Sequence, residues 1–353
     1  RNRDLMFFRS ENKLPSESHK PRPVTPVSRR MLIKSMASGV AAAATIGLAT
    51  DVSAGCPADD APQTPGVTGN DPSVRYCLNT STIRGQRLTV PEQIELVAST
   101  GYDAIEPWIG DLRSYAENAP LSDLKEQLDD SGISIASAIG FANWIVDDPG
   151  KRNEALQQAR SDMELLAELG ATRIAAPPAG AQNSEGLDLS RIAERYHDLL
   201  EVGRETGVTP QLELWGFSKT LSRLGELAYV AAECGHPDAA VLPDVYHIYK
   251  GGSDFAGLGM IEASRINVFH MNDYPGEPSR EEIGDADRVY PGDGVAPLDE
   301  ILNTLFDGGF SGFLSLELFN RTYWELPAVE VAETGLQKMK DAVASATAVR
   351  NQG

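Results

Sequence analysis

The chain has 353 residues and a formal net charge of −20, with 31 Lys and Arg against 51 Asp and Glu. The length allows one large α/β domain or two small ones. The acidity argues against binding of nucleic acid through phosphate contacts, which need clustered Lys and Arg. Three cysteines are too few for a disulfide framework or a Cys-rich zinc site. Residues 1–55 hold nine basic and four acidic residues, so residues 56–353 carry a net charge of −25. This asymmetry predicts a basic tail with a separate role.

The basic tail has the three parts of a bacterial export signal. Residues 28–34 (SRRMLIK) are basic, residues 35–50 are modestly apolar, and small residues follow up to Cys56. The Arg-Arg pair indicates the twin-arginine type, and the apolar run is too short for a stable transmembrane helix. We therefore predict a twin-arginine export signal over residues 1–55 and a periplasmic or extracytoplasmic location. A lipid anchor at Cys56 is the weaker alternative, and a basic tail with a chance Arg-Arg pair is another.

Residues 56–72 are rich in Pro, Asp and Gly and are typical of a linker. From residue 73, short apolar runs alternate with longer amphipathic segments. Eight such units over about 270 residues predict a single-domain (β/α)8 TIM barrel spanning residues 73–350. An open doubly wound sheet is the rival, but it usually has fewer strands and a Gly-rich turn after the first. The predicted strands are 73–78, 103–106, 133–138, 172–176, 208–214, 240–244, 265–270 and 313–318, and the predicted helices are 91–99, 151–169, 190–206, 219–234 and 297–307.

Polar side chains mark the last four predicted strands. Glu213 lies near the end of the fifth strand, Asp244 ends the sixth, His270 ends the seventh and Glu317 lies in the eighth. Barrel enzymes place their chemistry at the carboxyl ends of the strands, so we expect these four side chains at one mouth. Mixed oxygen and nitrogen donors suit one divalent ion, such as Mn²⁺, Mg²⁺, Co²⁺ or Zn²⁺. A hydroxy-ketone chelated there could lose a proton beside its carbonyl and form a metal-stabilised enediolate.

Each of these residues alone has an ordinary structural explanation. A glutamate near a strand end is usually solvated or paired, and His270 could be a core histidine with satisfied hydrogen bonds. The joint pattern favours a metal, because Glu213 and Glu317 each lie between leucines, where burial is costly without a positive partner. Neither strand contains a Lys or Arg, so one shared cation explains both glutamates.

The motifs LELW around Glu213, PDVYH from Pro243, HMND from His270 and LELF around Glu317 resemble the xylose isomerase-like barrel superfamily. The resemblance covers roughly residues 73–345. That superfamily includes ketose 3-epimerases, hydroxypyruvate isomerase and inosose dehydratase, and also the endonuclease IV repair enzymes. It implies the TIM barrel fold and a metal site.

The resemblance also implies roles for single residues. In the epimerase branch the matched residues bind one divalent metal, and here these are Glu213, Asp244, His270 and Glu317. The two glutamates are also implied to be the catalytic pair that transfers the proton. His247 resembles the residue that hydrogen-bonds substrate oxygens. Arg288 resembles the substrate-binding arginine and lies in a loop, residues 272–296, that is long enough to cover the mouth.

The repair-enzyme alternative implies three zinc ions. It needs further histidines on early strands and a histidine two residues after the aspartate of the Arg288 loop. Here that position is Val289, and predicted strands two and three contain no histidine. One metal is therefore favoured over three, and the negative charge also opposes DNA binding.

Residues after other strands are candidate substrate contacts. Glu106 and Trp108 follow the second predicted strand, and Trp215 and Lys219 follow the fifth. Aromatic side chains at a barrel mouth can stack on sugar rings or pack as loop anchors. Lys219 could contact substrate or simply begin a helix.

These observations favour an exported, metal-dependent isomerase or epimerase that acts on an unphosphorylated sugar or related hydroxy-ketone. Absence of phosphate is inferred because no Gly-rich cradle or basic cluster is visible at the strand ends. The alternative is a lyase or dehydratase on a keto-sugar or keto-glycoside, as the resemblance to inosose dehydratase allows. A non-catalytic sugar-binding barrel is disfavoured by the intact ligand set. The expected partner is a small sugar, without nucleic acid or a stable membrane span, and the oligomeric state is open, with a homodimer as one option.

Overall fold

Eight strands alternate with helices in the computed structural model, which describes residues 74–350. The strands are β1 Arg75–Asn79, β2 Ala104–Glu106, β3 Ser134–Ile135, β4 Arg173–Ala176, β5 Thr209–Glu213, β6 Ala240–Leu242, β7 Val268–Met271 and β8 Phe313–Leu316. The helices are α1 Val90–Thr100, α2 Ile109–Ala116, α3 Leu121–Ser131, α4 Pro149–Glu168, α5 Leu189–Thr206, α6 Leu224–Glu233, α7 Val245–Lys250, α8 Leu298–Asp307 and α9 Ala328–Arg350.

The strands close into a parallel barrel. Hydrogen bonds join them in the orders β3-β2-β1-β8-β7 and β4-β5-β6, and every pairing is parallel. The N–H of Ala175 donates to the carbonyl of Ala138 at 2.8 Å and joins β4 to the segment after β3. Parallel bridges pair Val241 with Ile266 and Asp244 with His270, which closes the barrel between β6 and β7. The prediction of a (β/α)8 barrel is confirmed.

The helices cover the barrel because each has one apolar face. In α8 the buried side chains recur every three or four residues, as one face of a helix requires. Helix α1 begins at a capping box in which Glu92 accepts from the N–H of Thr89, and it ends at Gly101, whose φ is 86°. Local sequence signals and the apolar face therefore agree on where these helices lie.

The number of strands agrees with the sequence prediction, but several bounds differ. Strand β3 has only two residues, and β7 begins at Val268 because the residues before it form a 3-10 turn. The helix predicted over residues 219–234 begins at Leu224. Glu226 accepts from the N–H of Arg223 at 3.0 Å and fixes that start, while Leu221 has a positive φ of 56°. Helices α2, α3, α7 and α9 were not predicted.

The predicted export signal over residues 1–55, Cys56 and the linker over 56–72 lie outside the described residues. Among the residues that the structure describes, no helix combines the length and apolar character that crossing a membrane requires.

Candidate active site

The four predicted metal residues lie at the carboxyl ends of adjacent strands. Glu213 is the last residue of β5, Asp244 follows β6 and caps α7, His270 lies in β7, and Glu317 follows β8. All four are at least 96% buried. Ligand atoms of Asp244, His270 and Glu317 lie within 4.8 Å of one another. In the described part of the chain, Glu213 is not in this group, so its role as a fourth ligand stays a prediction.

The imidazole of His270 is positioned between carboxylates. Its Nε2 lies 3.0 Å from Oε2 of Glu106, and its Nδ1 lies 3.3 Å from Oε2 of Glu317 and 3.7 Å from Oδ2 of Asp244. Nδ1 is buried and has no hydrogen-bond partner. A carboxylate at Nε2 keeps a proton there and leaves Nδ1 as the ligand atom, which is the usual arrangement of a metal-binding histidine. The residues present therefore fit a divalent ion.

Glu106, whose contact with substrate stays a prediction, is held beside His270 in the structure. It is completely buried, and besides His270 its Oε2 accepts from Nδ2 of Asn79 at 3.0 Å and from Oγ of Ser315 at 2.7 Å. The strand register explains these contacts, because it pairs Asn79 with Glu106 and His270 with Ser315. Glu106 thus orients His270. Asn79 and Ser315 were not identified from the sequence, since only the strand register places them beside Glu106.

Arg288 supplies Glu317 with the positive partner that its own strand β8 lacks. Its buried guanidinium donates through Nη1 to Glu317 at 2.8 Å and to Asp244 at 3.1 Å. Its Nη2 donates to Asp285 at 2.6 Å and to Nε2 of His247 at 3.1 Å. The structure thus brings both predicted substrate-binding residues, His247 and Arg288, to the carboxylates. Their contact with substrate stays a prediction.

The loop that carries Arg288 is held by Asp273. This buried carboxylate accepts from four backbone N–H groups between residues 274 and 296, at 2.7 to 3.1 Å. Asn320 also donates to the carbonyl of Arg288 at 3.0 Å. These bonds fix the loop over the cluster. Asp273 was noted in the sequence only as part of the HMND motif, and its role depends on the loop conformation.

The pKa values of the two glutamates of the buried cluster move in opposite directions. Burial, together with the carboxylates of Glu317 and Asp244, raises the pKa of Glu213 to about 8. Burial would also raise the pKa of Glu317, but His270 and Arg288 outweigh it and hold that pKa well below its usual range. The two glutamates are therefore an acid and a base at neutral pH.

Carboxyl groups outnumber cations in the buried cluster. The carboxyl groups are Glu106, Glu213, Asp244 and Glu317, and the cations are His270 and Arg288.

The two histidines of the cluster differ in charge. Burial lowers the pKa of His270, but the carboxylates of Glu317 and Glu106 outweigh burial and raise that pKa well above its usual value. Burial and the charge of Arg288 lower the pKa of His247 well below its usual value. His247 is therefore neutral and accepts from Arg288, whereas His270 carries a proton that it must lose before it binds a metal.

Aromatic rings form a continuous arc beside the cluster. The ring centroids are 5.0 Å apart between Trp108 and Phe141, 6.2 Å between Phe141 and Trp215, and 5.3 Å between Trp215 and Phe217. The Nε1 of Trp215 also lies 3.2 Å from Oε1 of Glu213. Trp108 and Trp215 as substrate contacts stay predictions, since no ligand tests them.

Lys219 does not contact the cluster. Its Nζ donates to Glu185 at 2.6 Å, and its backbone N–H donates to Gln182. Its contact with substrate stays a prediction.

A TIM barrel with buried Asp, His and Glu at the carboxyl ends of its strands defines the class of this protein. A family model described as the xylose isomerase-like TIM barrel matches residues 94–342. The chain therefore belongs to the xylose isomerase-like TIM barrel family, and the predicted family is confirmed.

Known relatives carry several enzyme names. An inosose isomerase of Bacillus velezensis is 29% identical over 272 residues, which cover 74% of this chain and 94% of that protein. A 3-dehydroshikimate dehydratase of Pseudomonas putida is 24% identical over 257 residues, covering 71% of this chain and 39% of that longer protein. The solved structure of an IOLI protein with a binding zinc atom has a TM-score of 0.71 at 24% identity and covers 77% of this chain and 99% of that one. The prediction of an enzyme in the isomerase and epimerase class, with a lyase alternative, is confirmed.

Proposed function

We propose that the chain is a divalent-metal-dependent isomerase or epimerase of an unphosphorylated sugar or a related hydroxy-ketone. The observation that carries this proposal is the pair of buried glutamates whose pKa values move in opposite directions beside a group that could hold a metal ion. The inosose isomerase among the relatives supports the reaction class.

Asp244, His270 and Glu317 would hold the ion, and Glu213, the predicted fourth ligand, would join them only when it is ionised. Support comes from the unpartnered Nδ1 of His270, from the excess of buried carboxyl groups and from the zinc in the related IOLI structure. When bound, a divalent ion supplies Lewis-acid polarisation of a substrate carbonyl.

The two glutamates would move the proton. Glu317, kept ionised by Arg288, takes a proton from the carbon beside the carbonyl, and the electron pair of that C–H bond moves towards the carbonyl oxygen. Glu213, protonated at neutral pH, returns a proton to carbon. Return to the opposite face of the same carbon gives an epimer. Return to the former carbonyl carbon, with the hydroxyl proton of the neighbouring carbon passing to the former carbonyl oxygen, gives an isomer. Each glutamate ends in the other's protonation state, which the reverse reaction or exchange with solvent restores.

The test combines metal content with isotope exchange. We expect purified protein to contain a divalent ion and to transfer solvent deuterium into a product with an intact carbon skeleton, measured over a panel of ketoses and 3-keto sugars. Glu213→Gln and Glu317→Gln should each lower kcat by about 10²–10⁴-fold. Glu185→Gln, a surface carboxylate that pairs with Lys219, is the matched control. Full activity in both active-site variants, or protein that binds no divalent ion, would refute the proposal.

A dehydratase reaction is the second candidate. The 3-dehydroshikimate dehydratase among the relatives favours it, and its first step is the same proton abstraction. The two candidates separate in the product, because elimination releases water or a β-linked group, whereas isomerisation retains every carbon and oxygen. Mass spectrometry of the product from each keto-sugar decides between them.

We also propose export by the twin-arginine route, with a lipid anchor at Cys56 as the alternative. The support is the sequence pattern of residues 28–56. Replacing both Arg29 and Arg30 with Lys should leave the protein in the cytoplasmic fraction, and Cys56→Ser tests the anchor. An unchanged location in the double variant would contradict twin-arginine export.

A further inference from the structure

A cavity lies at the same end of the barrel as the buried cluster. Its volume is about 520 Å³. Its walls come from the loop after β5, the end of α7 and the loop after β7, which are the segments that follow the strands of Glu213, Asp244 and His270. Its lining includes Gly216, Phe217, Arg223, Lys250, Arg280 and Glu281.

His247 links this cavity to the cluster. The ring of Phe217, 46% exposed, lies 5.7 Å from the ring of His247, and the N–H of Gly216 lies 3.3 Å from its Nδ1. On its other side, Nε2 of His247 contacts Arg288, which binds Glu317 and Asp244. The close approach requires glycine, since a Cβ on Gly216 would lie 2.3 Å from the carbonyl oxygen of His247. His247 thus lies between the cavity and Arg288 with its two carboxylate partners.

The cavity is cationic in a strongly acidic chain. Its lining holds three cations and one carboxylate, whereas residues 56–353 carry a net charge of −25. Lys250 is structural, because its Nζ donates to three carbonyls of the loop after β7. The two arginines make fewer hydrogen bonds to the protein. Arg223 donates from Nη2 to Gly252 at 2.8 Å, and Arg280 donates from Nη2 to Glu281 at 3.3 Å.

Each guanidinium therefore retains donors for a ligand. A guanidinium has five N–H donors in a planar fork that matches carboxylate and phosphate oxygens. Among the described hydrogen bonds of Arg223 and Arg280, only Nη2 of each is used. The cations come from three separate segments of the chain, so no basic cluster is visible in the sequence.

We propose that this cavity is an anion subsite, which binds a carboxylate or phosphate group of the substrate, and that the adjacent centre acts on an acidic sugar. That the bound anion belongs to the substrate rests on the proposed function. Anion binding by Arg223 and Arg280 is independent of it. For an unphosphorylated sugar the anionic group is a carboxylate.

Binding of inorganic phosphate to chelator-treated protein, measured by isothermal titration calorimetry, tests the subsite without turnover. The double variant Arg223→Gln, Arg280→Gln should raise Kd at least tenfold. Arg160→Gln, which removes a surface cation paired with Glu205, is the matched control and should change Kd less than twofold. Glu281→Gln removes the carboxylate of the cavity and should tighten binding two- to threefold, a gain that a folding defect cannot mimic. An unchanged Kd in the double and Glu281 variants, or no phosphate binding at millimolar concentration, overturns the proposal.

Competition identifies the anion. Glucuronate or glucose 6-phosphate should displace bound phosphate, whereas glucose should not, and the more effective of the two acids shows which group the subsite accepts. Equal displacement by glucose overturns the proposal. Failure of the proposed function is recognised separately. If no sugar is turned over but phosphate binding still depends on the two arginines, the subsite stands and the reaction does not. Glu213→Gln should likewise lose activity and keep phosphate binding.

Discussion

Replacing Glu106 should weaken metal binding without removing any proposed ligand. Its Oε2 accepts from His270, Ser315 and Asn79, and Oε1 has no partner. In Glu106→Gln the amide oxygen can take the place of Oε2, so the hydrogen bond to His270 survives and only the charge is lost. In Glu106→Ala the bond itself is lost, and three buried donors lose their acceptor.

The magnitudes follow from the kind of bond that is changed. A hydrogen bond to a charged group contributes about 1.5–3 kcal/mol, against about 0.5–1.5 for a neutral one, so Glu106→Gln should cost about 1 kcal/mol of metal binding. That corresponds to about a fivefold rise in Kd, since about 1.4 kcal/mol is tenfold. Loss of such an outer partner typically costs about 10–100-fold in metal affinity, which we expect for Glu106→Ala.

Competition with a chromophoric chelator measures the Kd for Zn²⁺ and Mn²⁺ in each variant. Glu95→Gln, on the exposed face of α1, is the control for removal of one negative charge. Thermal unfolding identifies variants that have lost the fold and must be set aside, which is a risk for Glu106→Ala. If folded Glu106→Gln and Glu106→Ala both bind metal as tightly as the unmodified protein, Glu106 does not orient His270 and the reasoning is wrong.

Three further changes test other parts of the site. The pKa of His270 is raised above its usual value, so protons compete with the metal ion for its imidazole. Metal affinity should therefore rise with pH until the pH exceeds that pKa. Chelator competition from pH 6 to 9 measures this dependence, and a flat profile would contradict it. Asp273→Ala leaves four backbone N–H groups without their acceptor and should lower stability by roughly 2–4 kcal/mol, visible as a lower denaturant midpoint; Asp299→Ala, in the first turn of α8, is the control. Gly216→Ala forces a methyl group to 2.3 Å from the carbonyl oxygen of His247 and should lower the free energy of unfolding by about 1–3 kcal/mol. Gly225→Ala, with open space around it, should not lower it. Equal stability of the two variants would show that glycine is not required at residue 216.

The barrel and four site residues could be predicted because their signals are local. Strand runs, helix stops and polar residues at strand ends each occupy a few neighbouring positions in the sequence. Glu213, Asp244, His270 and Glu317 were found in this way, and three of them meet in the structure. Helix α6 was placed five residues early because the capping contact of Glu226 involves side-chain geometry that composition does not reveal.

The roles of Glu106 and Arg288 could not be predicted in the same way. Glu106 reaches His270 only because β2, β1, β8 and β7 are neighbours in the sheet, and a strand order is not written in any one motif. Arg288 reaches the carboxylates because Asp273 fixes a long loop through backbone bonds. Both contacts join residues that are far apart in sequence, so they depend on the completed fold.

The division between strands and loops also bears on why relatives of one family carry the names isomerase and dehydratase. The proposed ligands and proton-transfer groups lie at strand ends. There the hydrogen bonds between strands and the burial of the side chains fix their positions. The aromatic arc and the arginines of the cavity lie mainly on loops, which vary more between related proteins than strands do. Under the proposed function, the groups at the strand ends abstract the proton. The loops would then select the substrate, and with it the presence or absence of a leaving group next to the carbon that loses its proton. In this chain the loop after β5 supplies Trp215 and Phe217 to the arc and Gly216 and Phe217 to the cavity, so we expect determinants of substrate specificity in this loop.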